Sequence, residues 1–133
     1  MKKVLLMVVV MMISLTSCSL FQDSLECSKN VDKSFSSQVT VHVYKSGEPY
    51  EGVMVSMRYT KYRCDGTQTN MADNPTTNSQ GIVVSPNFSF NLNNNNDYVE
   101  LFVECEGKYQ TQTFEDSNVS DAYQYPVLYT FNF

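Results

Sequence analysis

Few side chains in this sequence are suited to acid–base or nucleophilic chemistry. His42 is the only histidine, so any base-assisted nucleophile would have to use it. It alternates with valines in a stretch typical of a β-strand, on the more polar face with Thr40 and Tyr44. This position favours a surface histidine over a Cys–His dyad. We therefore predict no catalytic residue and no enzymatic activity.

The carboxylates are more numerous and form two patterns. Glu104 and Glu106 share a strand face, which is typical of a solvated acidic surface, and nothing sets the separation that a glycosidase pair requires. Asp65, Asp73 and Asp97 lie in polar or Asn-rich loops, and their oxygens suit a calcium ion. The Asp-x-Asp-x-Asp-Gly series of a calcium loop is missing, which favours turn chemistry. We predict no metal site and no cofactor.

Tyrosines are the most promising ligand-binding residues. The chain has nine Tyr, eight Phe and no Trp. Tyr44, Tyr50 and Tyr62 fall in turns or on polar faces, where a ring with a polar edge can stack on a ligand. These three tyrosines are our candidate ligand-binding residues, and a glycan is the ligand that such platforms suit.

The N-terminus has the pattern of an export signal. The basic pair Lys2-Lys3 precedes twelve uncharged residues, Val4 to Leu15, which is short of the ~20 that a membrane-spanning helix needs. The next stretch, Leu15-Thr16-Ser17-Cys18, resembles the lipobox of bacterial lipoproteins, whose cysteine is acylated and becomes the first residue after cleavage. The resemblance implies a signal peptide over residues 1–17 and a lipid anchor on Cys18, stable when two or more acyl chains insert. An ordinary secreted protein is the alternative.

The lipobox resemblance implies the bacterial cell envelope, and Ser19 favours the outer membrane because an inner-membrane retention signal often has Asp at that place. The mature chain, Cys18 to Phe133, has 116 residues, enough for one domain. Without Lys2 and Lys3 it holds seven basic and fourteen acidic residues, a net charge of −7. This charge argues against nucleic acid as a partner and against electrostatic attachment to anionic lipid.

Export makes disulfides possible for the three remaining cysteines, Cys27, Cys64 and Cys105. Three pairings are open and one thiol is left over. We favour Cys64–Cys105, because both lie in the predicted domain while Cys27 lies in a polar leader. No CxxC or HxxxH spacing is present, which argues against zinc.

The elements that position these residues are predicted to be strands. Residues 18–37 are polar and are predicted to form a flexible tether. From residue 38 onward, period-two alternation dominates, as in Val39, Val41 and Val43. Asp65 to Gln80 is predicted to be a long loop with room for one short strand. About seven strands at short spacing predict an all-β fold, a single antiparallel β-sandwich over residues 38–133.

Four motifs in this domain combine turn residues with strand residues: Gly47-x-Pro49-x-x-Gly52-Val53-x-Val55, Thr77-Asn78-x-x-Gly81, Tyr98-Val99-x-Leu101-x-Val103 and Gly107-x-Tyr109. Together they resemble the transthyretin-like, or carboxypeptidase-regulatory-like, β-sandwich modules of exported bacterial proteins. Asn78 stands where the family usually has Asp. The resemblance covers about residues 38–114 and implies an Ig-like sandwich that packs beside enzymes, transporters or adhesins. It implies no catalytic residue.

These observations predict a membrane-anchored envelope lipoprotein that acts as a non-enzymatic binding or structural module. Its expected partners are the membrane, through Cys18, and another envelope protein. The last strand, near Val127 to Phe133, is a candidate for strand addition to a partner. The alternative function is a glycan-binding accessory lipoprotein of a polysaccharide-uptake system.

Overall fold

The computed structural model describes Cys27 and residues 30–133, and the regular structure in this part of the chain consists of strands. The strands are β1 Asn30–Lys45, β2 Glu48–Pro49, β3 Ser56–Tyr62, β4 Gln68–Asp73, β5 Ile82–Val84, β6 Phe88–Asn94, β7 Tyr98–Cys105, β8 Lys108–Glu115 and β9 Tyr123–Asn132. None of these residues belongs to a helix that is long and apolar enough to cross a membrane. The predicted signal peptide, residues 1–17, and the predicted lipidation site, Cys18, lie outside the described residues.

The strands form two sheets in a sandwich-like arrangement, so the predicted all-β class is confirmed. In the first sheet β1 is central: β9 pairs along one edge, and β2, β5 and β6 share the other. The second sheet has the order β4-β3-β7-β8 and is antiparallel throughout.

Two details differ from the predicted antiparallel seven-strand sandwich. β1 and β9 are parallel, because the chain leaves β8 at the end where β1 begins and re-enters the first sheet there, with Tyr123 opposite Phe35. The structure also has short strands that alternation alone does not reveal, the two-residue β2 and the three-residue β5. The short strand expected within the Asp65–Gln80 loop is present as β4.

The core lies between the sheets and follows the predicted alternation. Val39, Val41 and Val43 of β1 are fully buried and form part of a core to which β3 contributes Tyr59 and β7 contributes Leu101. Full burial of an aliphatic side chain of this size stabilises the fold by about 1.5–3 kcal/mol.

β1 begins well before the predicted domain boundary at residue 38, so residues 30–37 are strand and not tether. Ser37 obscured this in the sequence, because it occupies a position where alternation would place an apolar residue. Ser37 is buried, yet its Oγ accepts a hydrogen bond from Tyr59 OH at 2.9 Å and donates one to Tyr125 O at 3.0 Å. A buried hydroxyl with both bonds made is compatible with a core position. Burial raises the pKa of Tyr59 to about 12, although the Ser37 hydrogen bond partly opposes this.

Candidate functional site

The sandwich has two ends, which we name by a residue at each. The Cys27 end comprises Cys27 and the turns at residues 63–67 and 94–97, because Tyr62 pairs with both Gln68 and Tyr98. The Gly107 end comprises residues 45–54 and the turn at 106–107. β7 has eight residues and runs from one end to the other, so the two ends lie about 25 Å apart at about 3.3 Å per residue.

A disulfide joins Cys27 to Cys64 at the Cys27 end, with the two Cα atoms 5.4 Å apart. The predicted Cys64–Cys105 pairing is therefore wrong. Because Tyr62 pairs with Tyr98, Cys64 and Cys105 lie at opposite ends of the second sheet. The eight residues from Tyr98 to Cys105 span about 23 Å of strand, whereas a disulfide needs Cα atoms within about 7 Å. Cys105 is a buried free thiol. Its pKa is raised mainly by burial and, to a smaller extent, by the charge of Glu106.

Asp97 organises the turns of the Cys27 end. Its side chain is buried, with 1% of its surface exposed. Oδ1 accepts a hydrogen bond from Cys64 N at 2.9 Å, and Oδ2 accepts from Asn93 N at 3.0 Å and Asn94 N at 3.3 Å. One carboxylate thus ties the disulfide-bearing turn to the β6–β7 turn.

The other two candidate calcium ligands also serve local turns. Asp65 accepts hydrogen bonds from the Thr67 hydroxyl and amide, at 2.7 and 2.9 Å, and the hydroxyl bond is the main reason that the pKa of Asp65 lies below its usual value. Asp73 accepts from Asn74 N at 3.0 Å. No group of three or more metal-ligating side chains lies together within Cys27 and residues 30–133.

Two lysines also connect separate segments of the chain at the Cys27 end. Lys33 forms an ion pair with Asp116 at 2.6 Å and donates to the carbonyl oxygens of Asp116 and Val119, at 2.7 and 3.1 Å. Lys61 donates from the second sheet to Asn91 O in the first, and burial lowers its pKa. This end is therefore cross-linked by side chains as well as by the disulfide.

The Gly107 end is open and carries two clefts that meet at Gly107. The first has a volume of about 470 Å³ and is lined by Tyr50, Gly52, Val53, Met54, Ser56, Glu104, Glu106 and Gly107. The second has a volume of about 560 Å³ and is lined by Gly107, Lys108, Tyr109, Gln110, Thr130, Phe131 and Asn132. These residues form the candidate site, which we call the two clefts.

The Thr-Asn-x-x-Gly motif supports the loop that lines the first cleft. Thr77 Oγ1 donates to Tyr50 O at 2.5 Å and accepts from Val53 N at 3.1 Å. Gly81 has φ +70°, and a Cβ there would lie 2.4 Å from Val43 O. Only glycine fits so close to a neighbouring backbone in this conformation.

Asn78 performs the turn role within the same motif. Its Oδ1 accepts hydrogen bonds from Gln80 N and Ile82 N, both at 3.0 Å. A side-chain carbonyl is sufficient for this, so the departure from the family's usual Asp leaves the turn intact.

Mixed charge surrounds the two clefts. Tyr50 OH donates to Glu106 Oε1 at 2.9 Å, and the Lys45 ammonium lies 4.8 Å from the centre of the Tyr50 ring. The Lys108 ammonium lies 4.6 Å from the Phe133 ring centre and donates to Asn132 O. The clefts thus present carboxylates, ammonium groups and rings to a ligand.

The clefts do not contain a nucleophile paired with a histidine base. No histidine or cysteine lines either of them. His42 lies on the outer face of the first sheet, where its Nδ1 is 3.5 Å from Tyr44 OH. The arrangement is suited to binding.

The three candidate tyrosines lie on three different surfaces. Tyr44 is beside His42 on the first sheet, Tyr50 lines the first cleft, and Tyr62 lies at the Cys27 end of the second sheet. The Tyr62 ring is stacked on Tyr98 with centroids 4.7 Å apart, so one of its faces is already covered. Of the three, only Tyr50 belongs to the two clefts. Sequence reasoning missed Met54 and Lys108, which line the first and the second cleft. Their positions there depend on how the loops pack, which the alternation of apolar residues does not predict.

No protein-family model matches the chain, and no curated protein matches it. The geometry of the two ends is therefore the basis for any functional interpretation.

Proposed function

We propose that the protein is an exported, lipid-anchored module of the bacterial envelope, at the outer membrane, that binds another envelope protein without catalysis. The observation that carries the proposal is the Cys27–Cys64 disulfide. Disulfides persist in oxidising compartments outside the cytosol, which is where the lipobox-like sequence would send the chain. The structural pairing and the N-terminal motif thus independently favour export.

The disulfide also sets an orientation for the anchored protein. Cys27 is fixed to one end of the sandwich, and the chain from an acylated Cys18 to Cys27 spans at most about 30 Å. The Cys27 end would then face the membrane and the Gly107 end would face away from it. The two clefts would be presented to a partner about 25 Å further out, the span of β7.

We also propose that the sandwich belongs to the transthyretin-like, or carboxypeptidase-regulatory-like, class. The turn motifs that carry the resemblance coincide with chain reversals. Gly47 to Gly52 follows β1, Thr77 to Gly81 precedes β5, and Gly107 lies between β7 and β8. Modules of this class act mostly by binding, which agrees with the character of the two clefts.

A protein partner suits the two clefts better than a glycan does. They are open and bordered by both signs of charge, which complements a polar loop of another protein. A glycan platform would need several exposed rings on one surface, and the candidate tyrosines are separated.

Fatty-acid labelling tests the anchor. Cells expressing the full chain are grown with a clickable palmitate analogue, and we expect the label on the wild-type protein and its loss in Cys18→Ala. Cys27→Ala is the matched control and should keep the label, because it alters only the disulfide. Label on Cys18→Ala, or none on the wild type, would contradict the proposal.

Site-specific photo-crosslinking tests the binding end. A photoreactive amino acid at Met54, which is 58% exposed in the first cleft, should crosslink the anchored protein to a discrete envelope protein in cells. The same amino acid at Thr67, at the Cys27 end, is the control and should not. Equal crosslinking from both positions would contradict binding at the two clefts.

A further inference from the structure

The edges of the sandwich are protected unequally. On the side formed by β8 and β9, side chains of β8 reach the backbone of β9: Gln110 Nε2 donates to Thr130 O at 3.3 Å, and Lys108 donates to Asn132 O. β9 also contains Pro126, which has no N–H to offer a further strand. The last strand, the expected site of strand addition, is therefore covered at this edge.

β4 is an unprotected edge. Within the described residues it pairs with β3 alone, at the end of the second sheet, and its side chains are exposed or half-buried along its whole length. It contains no proline and no lysine, the residues that commonly block edge pairing, and its register with β3 has no bulge. Asp73, its last residue, carries its only charge.

The free backbone groups of β4 belong to alternate residues. Arg63 N donates to Thr67 O at the β3–β4 turn, and the register continues with Lys61 opposite Thr69 and Tyr59 opposite Met71. In an antiparallel ladder every second pair exchanges hydrogen bonds. Thr69 and Met71 therefore direct their N–H and C=O groups toward β3, whereas Gln68, Asn70 and Ala72 direct theirs outward.

We propose that β4 pairs antiparallel with β4 of a second copy of this chain, in a register centred on Asn70. In this register Asn70 faces Asn70 of the second copy, and Gln68 faces Ala72 of the second copy. All the outward N–H and C=O groups of the strand then find partners. The two second sheets become one continuous sheet with a two-fold axis through its centre.

The side chains of β4 are complementary to themselves in this register. Met71, 37% exposed, is placed opposite Thr69 of the second copy, whose methyl group covers part of the thioether. Asp73 is placed opposite Thr67, so no two charges of like sign face each other across the axis. A one-residue shift of the register would turn the inner faces of the two sheets to opposite sides.

The association is expected to be weak. Pairing of one six-residue edge buries far less than the ~1,200 Å² at the lower limit of stable interfaces. Antiparallel pairing points the Cys27 ends of the two copies in opposite directions, so we expect it between copies of the free chain and not between neighbours anchored upright in one membrane.

Disulfide trapping tests the register. Asn70→Cys places two cysteines opposite each other at about 5.5 Å between Cα atoms, within disulfide range. Gln68→Cys is the matched control on the same strand face, and its two copies would be about 13 Å apart. We expect mild oxidation of the purified full chain to give a covalent dimer with Asn70→Cys and no more than the wild-type background with Gln68→Cys. Equal trapping at both positions, or trapping at neither, would overturn the proposal.

A second test introduces a charge and is independent of disulfide chemistry. Asn70→Lys places two ammonium groups opposite each other at the axis, whereas Gln68→Lys places each opposite Ala72. Sedimentation equilibrium of the purified full chain over about 0.01–1 mM should show reversible dimerisation, weakened about tenfold by Asn70→Lys and little changed by Gln68→Lys. A monomer at all concentrations, or equal weakening by both variants, would overturn it.

Discussion

The two ends of this sandwich are built differently, and the proposed function assigns attachment to one and binding to the other. At the Cys27 end a disulfide, a buried carboxylate and two lysines connect the turns to one another. At the Gly107 end the loops are supported from beneath by Thr77 and Gly81, and their outer surface remains open as two clefts. In the proposed function, the cross-linked end is connected to the membrane anchor, and the open end has room for a partner protein.

The largest effect is expected from the disulfide. Cys64→Ala removes a crosslink between residues 37 apart in sequence and should lower the free energy of unfolding by about 4 kcal/mol, through the entropy of the unfolded chain. Urea unfolding measures this loss, and reductant should bring the wild type to the same stability. Cys105→Ala is the control and should cost about 1 kcal/mol, because it only trims a buried thiol. An equal loss in both variants would contradict the pairing.

The next effect concerns Asp97. Asp97→Ala leaves three backbone N–H groups without their acceptor, which should cost about 3 kcal/mol. Asp73→Ala removes a single local bond at an edge and should cost less than about 0.5 kcal/mol. Similar losses in both variants, measured by thermal unfolding, would mean that the Cys27 end is not organised by this carboxylate.

At the Gly107 end, Gly81→Ala should cost about 2 kcal/mol, because an alanine at φ +70° is strained and its Cβ meets Val43 O. Gly47→Ala, at φ +84° with open space around it, should cost about 1 kcal/mol from backbone strain alone. Gly81→Ala should also weaken crosslinking from Met54, since it displaces the loop under the first cleft. Equal destabilisation by the two variants would contradict the close approach.

The smallest effect on the free energy of unfolding is expected at Tyr59, in the core between the two ends. Tyr59→Phe removes the hydrogen bond to Ser37 and should cost about 1 kcal/mol at pH 7. Because the folded-state pKa of Tyr59 is raised from 10 to about 12, its contribution is complete below pH 10 and is lost as the pH rises toward 12. The stability difference between wild type and Tyr59→Phe should therefore shrink across this range. A difference that is constant with pH would contradict burial of the phenol.

Period-two alternation was sufficient to predict the sandwich, because Val39, Val41 and Val43 bury one face of a strand in the simplest possible way. It failed at residues 30–37, where a serine occupies a core position through hydrogen bonds that only the folded structure supplies. The disulfide partner was mistaken for a related reason: the antiparallel register of β3 and β7 sets the distance between cysteines, and the order of residues along the chain does not reveal it.

The candidate site was predicted less well than the fold. Tyr50 was correctly placed in a turn, but a cleft forms only when loops from distant parts of the sequence meet, as Tyr50 and Glu106 do. The turn motif from Thr77 to Gly81 was visible in the sequence, yet its role in supporting that loop depends on contacts with Tyr50 and Val43.

Energy transfer to the membrane surface tests the orientation most directly. With Cys27 and Cys64 bonded and Cys105 buried, a single exposed cysteine at Thr67→Cys or Glu48→Cys can be labelled selectively on the lipidated protein in vesicles containing acceptor lipids. We predict stronger transfer from residue 67, at the Cys27 end, than from residue 48, at the Gly107 end about 25 Å away along β7. Equal transfer from both sites, or stronger transfer from residue 48, would contradict an anchored Cys27 end and an outward-facing pair of clefts.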